Sequence, residues 1–62
     1  MTPEQIKTAD KMKSVKAACV NAPAGSKKDT AMRHYHAAEK AHTAKNEAET
    51  DKELDAATNA LA

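Results

Sequence analysis

The feature that most constrains what this chain can fold into is its punctuation. The single glycine and one of the two prolines fall together in Asn21-Ala22-Pro23-Ala24-Gly25, and from Lys27 to Ala62 there is neither. Pro23 disfavours the α conformation at Ala22, and Gly25 frees the backbone to turn. A chain of 62 residues with one strong interruption must be built from a few long elements. Those elements are helices. Ala, Lys, Glu, Gln and Met are strong helix formers, β-branched residues are scattered, and no segment alternates apolar with polar as a strand would.

The first helix opens at Thr2-Pro3-Glu4-Gln5, where Thr2 reads as the N-cap, Pro3 as the first helical residue and Gln5 as the capping-box partner. Ser26 reads as the cap of the second helix, with Asp29 favourably placed for its dipole. A second break is expected at Asn46. Asn tolerates the left-handed conformation that closes helices, and Glu47, Glu49 and Asp51 then crowd a helix start. The stripe Ala31, Tyr35, Ala38, His42 also differs in phase from Thr50, Leu54, Ala57, Leu61 by roughly a quarter turn. The expected fold is a single all-α domain over 1–62, a small three-helix bundle with helices at 3–21, 27–45 and 47–61. The alternative is a helical hairpin with one long second helix.

Such a bundle has little with which to build a core. Of the 40% of residues that are apolar, most are alanine, so the core can supply only about 3–5 kcal/mol. On the first helix the expected buried stripe is Ile6, Ala9, Met12, Val15, Cys19 and Val20, with the stems of Lys13 and Lys16 lying beside it. Helices must approach closely through alanine, or a partner must complete the burial.

Charge is distributed unevenly beneath a net value of +1. Residues 1–28 carry six lysines against Glu4 and Asp10, whereas residues 46–62 carry Lys52 against five acids. The basic first helix and acidic last helix are expected to pack side by side. A chain this close to neutrality gives nucleic acid little sequence-independent affinity, and a single aromatic residue, Tyr35, makes no stacking platform. No apolar run is long enough for a membrane span. As written the chain reads as cytoplasmic, or as periplasmic if Met1 replaces a removed signal peptide.

Three histidines fall within nine residues. His36, Glu39 and His42 are spaced by three, which makes successive members neighbours on a helix, and imidazole and carboxylate suit copper, nickel or zinc. These three are the candidate metal ligands, with His34, off that stripe, as a secondary candidate. His36 and His42 stand about 9 Å apart along the axis, so one helix supplies an adjacent pair rather than a full site. A polar helical face accounts for the same spacing without a metal. Cys19 reads as a small buried hydrophobe, although a metal-ligand thiolate, a dimer disulfide and a nucleophile beside histidine share its residue type. A chain this small has scant room for a substrate cleft, and a non-enzymatic role is expected.

The stretch Arg33-His34-Tyr35-His36-Ala37-Ala38-Glu39-Lys40-Ala41-His42, followed by Lys52-Glu53-Leu54-Asp55-Ala56-Ala57-Thr58-Asn59-Ala60-Leu61, resembles the small His-rich helical metal-binding proteins of the bacterial periplasm. The resemblance covers about half the chain. It implies transition-metal binding in an exported compartment, with His34, His36 and His42 at the histidine-rich positions. Asp55, Thr58 and Asn59 stand where that pattern has further histidine, so the implied capacity is low. Three functions are therefore carried forward. The first is a non-enzymatic binding or structural module whose partner, another protein or a second copy, the residues do not name. The second is a low-capacity metal binder of the periplasm, and the third a basic-helix module for an acidic surface met by Lys7 and Lys11.

Overall fold

The structure, a computed structural model, describes residues 3–62, the side chains of Glu4 and Gln5 excepted. The capping roles assigned to Thr2 and Gln5 lie outside what is described. Three helices follow one another: α1 (Pro3–Asn21), α2 (Ser26–Thr43) and α3 (Glu47–Ala60). They pack on one another as an all-α three-helix bundle, and no strand occurs among the described residues.

Each connection uses a different local device. At the first, Gly25 itself is the N-cap of α2, with φ of 154° and no side-chain cap, and its carbonyl accepts the first helical hydrogen bond from the Asp29 N–H at 3.0 Å. Ser26 is therefore the first helical residue, not the cap. A positive φ is open to glycine at little steric cost, and it lets the chain reverse before Ser26 arrives.

The second connection also redistributes the expected roles. Lys45, not Asn46, takes the left-handed conformation, at φ of 63°. The Lys45 N–H donates to the His42 carbonyl at 2.9 Å, and the Asn46 N–H donates to the Ala41 carbonyl at 2.8 Å. These are the paired bonds of a Schellman closure. Asn46 is thereby released to cap α3, its side-chain oxygen accepting from the Glu49 N–H at 3.3 Å. An asparagine side chain is worth more as an acceptor at a helix start than as a tolerant backbone at a helix end.

The three helices bury one repeating pattern. On α1 it is Thr8, Met12, Val15 and Cys19; on α2, Ala31, Tyr35, Ala38 and Ala41; on α3, Thr50, Leu54, Ala57 and Leu61, with Met12 and Leu61 only partly covered. Steps of four and three keep such residues on one helical face. Threonine opens two of the stripes. Thr50 can be fully buried because its hydroxyl donates to the Asn46 carbonyl at 2.8 Å, which meets the requirement that a buried hydroxyl be bonded. Where His42 was expected on the buried stripe, Ala41 takes the place and His42 is half-buried at its edge.

The larger departure is on α1. Ile6 is 49% exposed and Val20 59% exposed, so neither belongs to the core. The expected stripe was too broad, taking in half the circumference of the helix. Only the arc around Val15 and Cys19 faces the other helices, and Ile6 and Val20 lie roughly opposite it at about 100° per residue. Lys13 and Lys16 are exposed with them.

Packing is unequal among the pairs. The contact of α2 with α3 is by far the most extensive, and α1 rests more on α3 than on α2. The basic-to-acidic attraction expected between α1 and α3 is carried by Lys11, whose ammonium lies 2.7 Å from Asp55 and 3.9 Å from Asp51.

Candidate functional site

All three histidines project from α2, and each turns the same ring nitrogen toward a glutamate. His36 Nδ1 lies 2.9 Å from Glu39 Oε1, one helical turn on. His34 Nδ1 lies 3.2 Å from Glu53 Oε2, which ties α2 to the middle of α3. His42 Nδ1 faces Glu47 Oε1 at 3.6 Å across the Lys45 turn. That last distance is too long for a hydrogen bond but within ion-pair reach. The facing atoms of His42 and Glu47 are buried with no hydrogen-bond partner, so each is the other's nearest polar company. Carboxylates that hold Nδ1–H in this way fix the tautomer and leave Nε2 as the ring's acceptor.

The geometry divides the histidine–glutamate stripe. His36 and Glu39 come together at the surface, the imidazole 64% exposed, whereas His42 is drawn away to the start of α3. His34 belongs to the α2–α3 seam. Among the described residues no three His, Cys, Asp or Glu side chains converge on one point. The pair that could hold an ion is His36 with Glu39. Their 2.9 Å contact is a hydrogen bond, so an ion would either take the free Nε2 of His36 or displace the Nδ1 proton to bind between the two side chains. The carboxylate partners Glu47 and Glu53 were not singled out from the sequence, because nothing in their spacing shows which histidine a separate helix will meet.

Cys19 is fully buried as a free thiol beneath α1. Burial pushes its pKa up, with the Lys28 charge opposing, so the protonated form is favoured. Tyr35 is likewise pushed up, first by burial and then by the Glu39 and Cys19 charges. Both act here as core residues.

A second surface emerges on the outward side of α1. Ile6, Asp10, Lys13, Ala17 and Val20 are all exposed and fall within an arc of roughly 80°. Lys16 flanks them, and Lys28 reaches the C-terminal end, its ammonium donating to the Val20 carbonyl at 3.5 Å. Lys11, proposed above as part of a basic patch with Lys7, is instead engaged with α3. The sequence signal for this face is the fourteen-residue spacing of Ile6 and Val20, which sets them within about 40° of each other with Lys13 between them.

The class that fold and surface define is a small all-α three-helix bundle. The chain matches no family model, no curated protein and no solved structure. No described helix is long and apolar enough to cross a membrane.

Proposed function

We propose that the chain is a non-enzymatic helical binding module that meets a negatively charged surface through the outward face of α1. One observation carries this reading: Ile6 and Val20 stand in water on the side of α1 opposite the core. The chain holds only one isoleucine, two valines and two leucines. Leaving two of these five exposed while filling the interior with alanine sacrifices burial worth about 1.5–3 kcal/mol per full side chain. Lys13 and Lys16 set the sign of the partner. A second copy is disfavoured, because a two-fold contact centred on this face would set Lys13 against its own symmetry mate.

If the face is free for contact, replacing Ile6 and Val20 together by serine leaves the fold intact. The melting temperature should move by no more than about 8 °C, since two exposed substitutions of up to about 0.5 kcal/mol each sum to about 1 kcal/mol. A fall of 15 °C or more would show that the two residues belong to the fold and end this reading.

A second reading, low-capacity binding of copper, nickel or zinc, is favoured by the exposed, adjacent His36–Glu39 pair. His36→Ala should then weaken binding of copper or nickel more than His42→Ala or His34→Ala, whose rings are held against α3. Binding should weaken on acidification because only neutral imidazole ligates. Titration calorimetry that detects no heat at submillimolar copper, nickel or zinc would exclude it.

A further inference from the structure

We infer that the surface met by α1 is an anionic phospholipid bilayer, on which the helix lies flat with Ile6 and Val20 as its two apolar contacts. This rests on the reading of α1 as a docking face and commits it to one occupant.

The arrangement of charge and apolar surface on α1 selects among negatively charged partners. Ile6 and Val20 stand fourteen residues apart, about 21 Å along the axis at 1.5 Å per residue. Between them lie Asp10, Lys13 and Ala17, all exposed. A protein interface of ordinary strength buries about 800 Å² on each partner around a central cluster of large, fully desolvated side chains. This face has the opposite plan, with a lysine at its centre and its two larger apolar residues at its ends. A bilayer demands no central anchor. Its headgroup layer is flat and continuous, takes apolar side chains wherever they fall, and attracts each nearby lysine. Lys13, Lys16 and Lys28 are positioned for that, against Asp10 alone on the outward arc. Four acids of α3 are engaged away from that arc. Asp51 and Asp55 face Lys11, and Glu47 and Glu53 face His42 and His34. The fold thus turns the outward arc of α1 away from the acidic α3, which a chain of net charge +1 does not reveal by composition.

Each lysine near an anionic surface contributes about fivefold in partitioning at physiological ionic strength. Two lysines reversed in sign therefore cost at least about 25-fold.

The experiment is co-sedimentation of the full chain with vesicles of pure phosphatidylcholine and of phosphatidylcholine with a third phosphatidylglycerol, in 50 mM and 500 mM salt. Partitioning into the anionic vesicles is expected at low salt, with little into neutral ones and loss at high salt. The double variant Lys13→Glu, Lys16→Glu should partition at least 25-fold less. Ile6→Ser with Val20→Ser should lower partitioning several-fold with circular dichroism and melting unchanged. Absence of binding to anionic vesicles would overturn the proposal, as would equal binding to both vesicle types. Soluble polyglutamate bound as tightly as the vesicles, with no effect of the serine pair, would also overturn it in favour of an acidic polypeptide. None of these outcomes bears on the melting test of the serine variant, so failure of the bilayer and failure of the α1 docking face are read separately.

Discussion

The hairpin of α2 and α3 and the helix α1 are built by different rules. In the hairpin, local and tertiary signals agree. The Lys45 turn closes α2 with two backbone bonds, Asn46 caps α3, Tyr35 and Leu54 fill the seam, and His34–Glu53 and His42–Glu47 join the helices at two levels. Against it, α1 lays down Thr8, Met12, Val15 and Cys19 and adds one ion-paired lysine, Lys11. Its remaining larger apolar residues face outward. Two helices specify each other, and the third is attached along a narrow stripe. A helix held that way can afford a second surface, and that is where the functional reading falls.

The sharpest way to break the comparison is to truncate an aliphatic residue in each region. Leu54→Ala removes a fully buried side chain from the seam and should cost about 2–5 kcal/mol, enough to unfold a bundle of this size. Val20→Ala, which a reading of the stripe alone ranks as severe, should change stability by less than about 0.5 kcal/mol. Urea melts of the two variants decide the matter. A severe Val20→Ala would put α1's outward side back in the core.

Smaller effects test the turn that defines the hairpin. Asn46→Ala deletes the side-chain cap of α3 and should destabilise by about 1 kcal/mol. Lys45→Gly removes the cost of a left-handed lysine and should stabilise by about 0.5–1 kcal/mol. Thermal melts that moved together, or a loss of stability with glycine at 45, would mean that the helices are not joined by this closure.

Which parts were legible in the sequence follows from the same contrast. Pro23 and Gly25 mark one end unmistakably, and Asn46 marks the other, although its role was reversed because both halves of a helix–helix turn use the same few residue types. The stripes of α2 and α3 could be read because each carries one large apolar anchor at its middle, Tyr35 and Leu54. On α1 the apolar residues surround the helix, and hydrophobicity alone could not say which arc is inward. The four-three-four spacing of Thr8, Met12, Val15 and Cys19 says so, but only once threonine is admitted as a core residue. The histidine site was half legible. A spacing of three brings His36 to Glu39 within one helix, whereas His34 and His42 are claimed by Glu53 and Glu47, and that depends on how α3 is laid against α2.

The central claim is that α2 and α3 form the stable unit and α1 the loosely attached one. Native-state hydrogen exchange, followed amide by amide by NMR, measures this directly, because opening free energies differ between regions that unfold separately. Amides of Tyr35, Ala38, Leu54 and Ala57 should exchange only through global unfolding. Those of Val15 and Cys19 in the middle of α1 should exchange through a smaller opening, at least about tenfold faster once intrinsic rates are divided out. Equal protection in all three helices would contradict the account.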